Sequence, residues 1–487
     1  MPPSTGAQRE IESILAREPM RSGAVGILAV RADGDTLACI NHRMRLVPAS
    51  NMKLITTGLA LRQLGPGFRF ETTLAYVGEL TDGVLEGDVF IVGGGDPTTG
   101  AKDLFAPSAG ELFGHWMALL QKAGIRSVKG RIIGDGRFFR DATREGLGES
   151  YEDVGTSYGA GPAGLNFFEN AQNFYVSPGP AVGQRPYVSP RYPETPWMQF
   201  SVNATTSAAG SSNDLYYVCT EFGPYGEVRG SFPIDRRGYT LECANKFGPL
   251  TCAFYFYKYL NANGLPVSGY GDVSPRGFIR TDVGFARSGA PAPKPGEMTV
   301  AGSTRSAALS EIVAATNARS DNFYAETLFR MLGRSRFGSD LQDSCRVAAD
   351  EALRSIGLQT RARADVFDGS GLSRKNYVSA DFFVSFLRNM ARSRVWTEFY
   401  ESLPVPGQEK SSLASRFRNA PEEFKARIHM KSGSMNGVRC FSGYIDSSDG
   451  DPAHMVAFSV LTNNITGSSY TVYPVIEDII AAIAAEN

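Results

Sequence analysis

A mixed α/β fold, an antiparallel sheet flanked by helices and split by a large β-rich insertion, is the class this sequence predicts. Three observations carry it. Apolar, strand-like segments stand near both ends of the chain, at residues 24–30 and 36–40 and again at 440–445 and 454–461, so both ends hold material for one sheet. Helical apolar spacing flanks them, at 11–15, 307–317, 323–332 and 380–391. Between about residues 70 and 284 the texture changes to short strands punctuated by Gly, Pro, Asn and Asp. With 487 residues, 42% of them hydrophobic and 20% charged, the chain can build more than one core.

The elements follow in order. A helix around 11–15 leads into a strand at 24–30, a turn at Asp33-Gly34 and a strand at 36–40. Pro48 and the apolar spacing after it predict a buried helix from Ser50 to about residue 61. Within the β-rich stretch one helix is expected, at 253–261, ended by Asn263-Gly264. A linker rich in Pro and Gly at 290–296 precedes helices at 307–317 and 323–332, with Ser320-Asp321-Asn322 between them. A helix at 380–391, strands at 424–431, 440–445 and 454–461, and a helix from Tyr473 close the chain. The division predicted is a catalytic domain made of residues 1–70 and 285–487, and an insertion at 71–284 with room for two lobes.

Composition removes several classes of function. Lys and Arg number 49 against 50 Asp and Glu, without charge blocks, so neither nucleic acid nor an anionic membrane face is an expected partner. No apolar run approaches the roughly 20 residues that span a bilayer. The N-terminus lacks the features of a signal peptide, so the chain is either cytosolic or has lost its signal. The six cysteines form no CxxC pair; Cys243 and Cys252 either close a short loop or remain two buried thiols. Four scattered histidines without HExxH spacing predict no metal site. No cofactor is expected.

Three short motifs hold the chemistry: Ser50-Asn51-Met52-Lys53 (SxxK), Ser320-Asp321-Asn322 (SxN) and Lys431-Ser432-Gly433 (KTG-like). SxxK alone is weak, but each motif falls in a fitting context: a helix start, an interhelical loop and a strand. Positions three apart share a helix face, so Lys53 reaches the Ser50 hydroxyl. A lysine among apolar neighbours and beside a second cation, Lys431, loses affinity for its proton and can act as general base. Ser320 is placed to relay a proton to the leaving amine, and Asn322 to hold Lys53 and a substrate amide. Lys431 supplies positive charge, and the Ser432 and Ser434 hydroxyls suit a terminal carboxylate. The backbone N–H groups of Ser50 and Ser434 would form an oxyanion hole.

In these motifs the sequence resembles the low-molecular-mass class C penicillin-binding proteins, the D-alanyl-D-alanine carboxypeptidase/endopeptidases. The resemblance extends through Pro48-Ala49, Gly93-Gly94-Gly95-Asp96-Pro97, Gly130-Arg131-Ile132-Ile133-Gly134-Asp135, Tyr158-Gly159-Ala160, Leu165-Asn166, Ala325-Glu326, the run from Asp368 to Ser373, Gly437-Val438 and Gly443-Tyr444. Ser320 stands 270 positions after Ser50, room that an ordinary class A β-lactamase lacks. The resemblance implies a penicillin-binding-protein/serine β-lactamase-like catalytic domain. It implies attack of Ser50 on the peptide bond after a D-alanine of peptidoglycan stem peptides, acylation of Ser50 by β-lactams such as penicillins, and a periplasmic or otherwise extracytoplasmic place of action. It also implies a pocket for the free end of a stem-peptide side chain, formed by Asp153, Tyr158, Arg374, Met435 and Asn436. Ser432 departs from the usual Thr, keeping the hydroxyl and losing the methyl.

Competing readings exist. Gly155-Thr156-Ser157-Tyr158-Gly159 fits the GxSxG elbow, which with His429 or His454 would make a triad, but no apolar strand precedes it. Gly95 to Gly100 resembles a phosphate loop with Ala101 where lysine must stand. A β-lactamase, a D-amino-acid amidase or an esterase would share the same motifs. A peptidoglycan-binding protein without catalysis would not need a nucleophile beside a base.

Overall fold

The apolar segments from the two ends of the chain meet in one antiparallel sheet. In the computed structural model, which describes residues 3–140, 148–220, 223–274, 276–281 and 289–487, strands β1 (Ala24–Arg31), β2 (Thr36–Ile40), β3 (Ile428–Met435), β4 (Val438–Ile445) and β5 (Val456–Asn463) lie in the order β2-β1-β5-β4-β3. Every residue of β5 is buried, as expected of a strand covered on both faces. One face packs on helices α1 (Gly6–Leu15) and α7 (Ser469–Ala485) through Ile11, Ile14, Ile476, Ile479, Ile480 and Ile483. Burying each such side chain contributes about 1.5–3 kcal/mol. The other face meets α6 (Ala380–Met390), where the Tyr444 hydroxyl donates to the Leu387 carbonyl at 2.8 Å. The same unit holds α2 (Met52–Leu64), α3 (Leu309–Arg319), α4 (Asn322–Phe337) and α5 (Gln342–Ser355). From Met52 to Leu61 every residue of α2 is buried, so this helix has no solvent face and little apolar periodicity.

The chain divides into two compact units, Met1–Phe68 with Ala308–Asn487, and Arg69–Ala307. The second contains an eight-stranded sheet including Glu71–Tyr76, Val89–Val92, Ser127–Asp135, Val267–Val273 and Thr299–Arg305. Two three-stranded sheets, drawn from residues between Ala171 and Ala244, have a separate small core. The larger core includes Trp116, Phe167 and Phe256.

Several sequence expectations need correction. Residues 299–305, expected in the second catalytic segment, pair with Glu71–Tyr76, so the unit boundary lies at Ala308 rather than near residue 285. The insertion has further helices, the short Tyr151–Val154 and Ala109–Lys122, the latter started by a Ser108–Glu111 capping box. Helix α5 was also not anticipated. The expected strand at 424–431 is helical over Glu422–Ala426 and begins only at Ile428. Cys243 and Cys252 lie in different hydrophobic cores, and all six cysteines are free thiols.

Candidate active site

Ala49 holds φ at 47°, a left-handed backbone that costs about 1–3 kcal/mol where a surrounding structure enforces it. Ser50 follows in the 3-10 turn Ala49–Asn51, which feeds α2. Lys53, one turn on, is completely buried. Its Nζ donates to Ser50 Oγ at 2.9 Å, to Asn322 Oδ1 at 2.6 Å and to the Ser370 carbonyl at 2.8 Å. An ammonium has three protons, and here each finds an acceptor.

The Ser370 carbonyl is delivered by a loop held by two buried carboxylates. Glu326 accepts the backbone N–H groups of Gly369 at 3.1 Å and Ser370 at 2.8 Å. Asp368 accepts those of Gly371 at 2.8 Å and Ser373 at 2.7 Å, and the Asn376 amide at 2.7 Å. Charge-assisted bonds of this kind are among the stronger ones in proteins. Gly371, at φ 85°, must be glycine for a second reason: a Cβ there would sit 1.9 Å from the Ala49 carbonyl oxygen. The loop thus presses directly on the turn that presents Ser50.

In the second motif each residue has its own task. Ser320 ends α3 in the left-handed conformation (φ 61°, ψ 42°), its N–H donating to the Thr316 carbonyl. Asp321 caps α4, its carboxylate accepting the Tyr324 N–H at 2.9 Å. Asn322 opens α4 and turns its amide oxygen to Lys53. The Ser320 hydroxyl makes no hydrogen bond to a described residue.

The third motif lies on β3, an edge strand. Lys431 is completely buried, its Nζ donating to the Ser432 carbonyl at 2.8 Å. Burial first, and the charge of Lys53 second, hold its amine well below the ordinary lysine range. Gly433 lets β3 close on the Ser50 turn, since a Cβ there would meet the Pro48 carbonyl at 2.6 Å and the Asn51 nitrogen at 3.0 Å. Ser432 Oγ donates to Ser412 Oγ at 2.9 Å, and Ser434 is exposed. Beneath the turn, the Asn51 amide donates to Ser442 Oγ at 2.7 Å, and Ser442 Oγ donates to Ser459 Oγ at 2.8 Å, a buried relay joining the helix start to β4 and β5.

The structure therefore brings Ser50, Lys53 and Asn322 into direct hydrogen bonding, with Lys431 near enough to share their electrostatics and Ser320 on the adjoining turn. Met435 ends β3 half-buried, Asn436 is exposed in the turn after it, and Arg374 is exposed just past the Asp368 loop. In the second unit the Tyr158 hydroxyl donates to Asp153 Oδ1 at 3.0 Å. Burial and the Asp153 charge push that phenol up to about 12, so it stays a donor. Ser370, Glu326 and Asp368 had no role from sequence; their only signal was the Asp-Gly-Ser-Gly run and the Ala-Glu pair.

The decoys resolve. Gly155 follows the short helix Tyr151–Val154, with the 3-10 turn Ser157–Gly159 beyond, so no strand-to-helix elbow exists there. His429 stacks on Tyr400 with ring centroids 4.2 Å apart, and His454 pairs with Asp449 at 2.8 Å. Asp96 accepts the Thr98 N–H at 2.8 Å in a tight turn rather than a phosphate loop.

Comparison with known proteins bears on the family and the fold. The model of the D-Ala-D-Ala carboxypeptidase 3 (S13) family matches residues 7–487. A D-alanyl-D-alanine carboxypeptidase of Actinomadura sp. (strain R39) is 31% identical over 496 residues, covering 99% of this chain and 85% of the relative. The crystal structure of penicillin binding protein 4 from Haemophilus influenzae superposes with a TM-score of 0.79 at 21% identity, over 98% of each chain. The same protein complexed with a β-lactam gives 0.74 at 20% identity, over 98% of this chain and 99% of that one. The fold is thus that of the penicillin-binding proteins.

Proposed function

This chain belongs to the D-Ala-D-Ala carboxypeptidase 3 (S13) family and is a serine-type D-alanyl-D-alanine carboxypeptidase; from that membership we propose that Ser50 is its nucleophile and Lys53 the base. The observation that carries the proposal is the buried Lys53 amine, 2.9 Å from Ser50 Oγ. When neutral, that amine takes the Ser50 proton as Oγ attacks the carbonyl carbon of the penultimate D-alanine. The N–H groups of Ser50 and Ser434 receive the oxyanion. Ser320 passes the proton to the departing D-alanine nitrogen, with Asn322 holding Lys53 in place. Water then hydrolyses the ester on Ser50. Lys431 orients the site by its charge, and the Ser432 and Ser434 hydroxyls bind the terminal carboxylate.

The substrate is peptidoglycan stem peptide, and penicillins acylate the same serine, which puts the working protein outside the cytoplasm. Two further anchors follow from the same reading, each open to its own substitution: Arg374 for a side-chain carboxylate, and Asp153, bonded to Tyr158, for an ammonium. Met435 and Asn436, in the same unit as Arg374, are further candidate side-chain contacts. The test is D-alanine release from a stem pentapeptide. Ser50→Ala is expected to lower it by at least about 10³-fold while circular dichroism stays unchanged. Release at the wild-type rate would remove Ser50 from the mechanism.

A further inference from the structure

Between α2 and α4 runs the segment Asp368–Ser373, and it is tightly packed: a Cβ at Gly369 would meet Phe329 Cβ at 2.5 Å and the Ala325 carbonyl oxygen at 2.6 Å. Asp368, Ser370 and Asn376 are completely buried. Two successive peptide units of this segment each join a buried carboxylate to α2. In the first, the Ser370 N–H donates to Glu326 at 2.8 Å, and the Gly369 carbonyl accepts the Thr56 hydroxyl at 2.7 Å. In the second, the Gly371 N–H donates to Asp368 at 2.8 Å, and the Ser370 carbonyl accepts Lys53 Nζ at 2.8 Å. Thr56 and Lys53 stand three apart on one face of α2. The N–H and C=O of one planar trans peptide point in opposite directions. A negative charge at the N–H end therefore polarises the unit and strengthens its oxygen as an acceptor.

We propose that Asp368, supported by Glu326, is a positioning residue for the reaction: through the Ser370–Gly371 peptide it aims the Lys53 amine and favours its protonated form. The inference rests on the reading of Lys53 as the base. A neutral amine has two N–H bonds and one lone pair. With Asn322 Oδ1 at 2.6 Å and the Ser370 carbonyl at 2.8 Å taking the two N–H bonds, the lone pair is left facing Ser50 Oγ at 2.9 Å. Without a fixed Ser370 carbonyl the amine turns about Cε–Nζ among its staggered orientations, and the lone pair faces Ser50 in only some of them. Charge acts in the same place. Lys431 on β3 opposes a proton on Lys53, whereas Glu326 on α4 and Asp368 in the loop favour one. Arg330, one turn after Glu326, is paired with Asp340 at 3.5 Å. The two carboxylates thus offset the cost of a buried ammonium, so that Lys53 can hold the proton taken from Ser50 until Ser320 passes it on.

The experiment follows the second-order rate of acylation by benzylpenicillin as a function of pH, in the full chain. Asp368→Asn keeps the size of the side chain and removes its charge. Glu326→Gln does the same, and its amide oxygen can still accept the N–H groups of Gly369 and Ser370. The plateau rate is expected to fall by about tenfold in Asp368→Asn and by about threefold in Glu326→Gln. The rising acidic limb, which reports the base of the free enzyme, is expected to move to lower pH by about half a unit in each. The sign follows from the charge: an ammonium that loses a nearby carboxylate gives up its proton at lower pH. A loop that is merely loosened lowers the plateau and leaves the limb in place. That result in Asp368→Asn, a limb moved to higher pH, or wild-type behaviour overturns the proposal. Where circular dichroism shows Asp368→Asn unfolded, the same outcomes in Glu326→Gln decide. Acylation of Lys53→Ala at the wild-type rate overturns the reading of the base instead, and the inference with it.

Discussion

Two amines share the buried floor of the site, Lys53 and Lys431, and each had to leave water to be there. For Lys431 the direction of the consequence is clear: burial and Lys53 lower its proton affinity below the value of 10.5 it has when unfolded. Between that lowered folded value and 10.5 the unfolded chain binds more protons than the folded one, so wild-type stability rises with pH across that window. Lys431→Met removes the buried amine and the cost of desolvating it. The variant is expected to lose D-alanine release by at least about 10²-fold, yet to gain a few degrees in Tm near pH 7, an advantage that shrinks toward pH 10. Calorimetry at several pH values checks this, and a variant less stable at pH 7 would contradict it. The five candidate residues could be named from sequence because their side-chain types stand in short, ordered motifs. The Ser370 carbonyl could not, since a backbone acceptor has no residue type of its own.

Among elements, the Asp368 loop and the Ser50 turn are pressed together at Gly371, and that contact sets the geometry of the turn that carries Ser50. Gly371→Ala forces apart a carbonyl that lies 1.9 Å from the new Cβ. A displacement near 1 Å at a reacting group costs about 10²-fold, and a loss of that size is expected in the rate of acylation by benzylpenicillin. Gly357→Ala is the control, with a similar positive φ of 79° and nothing within 4 Å of its Cβ; it shares the backbone strain and should leave acylation unchanged. Equal rates for the two variants would show that strain alone is felt. Elements were legible where a short apolar run is bounded by turn residues. Strands β1, β4 and β5 stood out as apolar runs, whereas the ends of α2 and the start of β3 did not, because buried helices and strands share the same apolar composition. Helix Ala109–Lys122 was readable, through Ser108, Glu111 and the spacing of Leu112, Trp116 and Leu120, but lay in a stretch dominated by strand signals.

At the scale of the whole molecule, a catalytic unit is interrupted by residues 69–307 and closes on itself without them. The Leu309 N–H donates to the Phe68 carbonyl at 2.8 Å and the Ser310 N–H to the Pro66 carbonyl at 3.0 Å, so the chain leaves and re-enters at adjacent points, the geometry of a tolerated insertion. Replacing residues 69–307 by a short Gly/Ser linker is expected to leave a unit that unfolds cooperatively and still labels with penicillin; a molten, unreactive product would show that the catalytic unit depends on the insertion. The break in texture after residue 70 was visible in sequence. The boundary at Ala308 was not, because Thr299–Arg305 returns to a strand laid down more than 200 residues earlier, a pairing without local signature. The central claim remains the identity of the nucleophile. Intact mass after incubation with benzylpenicillin, followed by peptide mapping, tests it most directly. A single stable adduct on the peptide containing Ser50, absent from Ser50→Ala, is the expected result; an adduct elsewhere, or none without turnover of the penicillin, would contradict it.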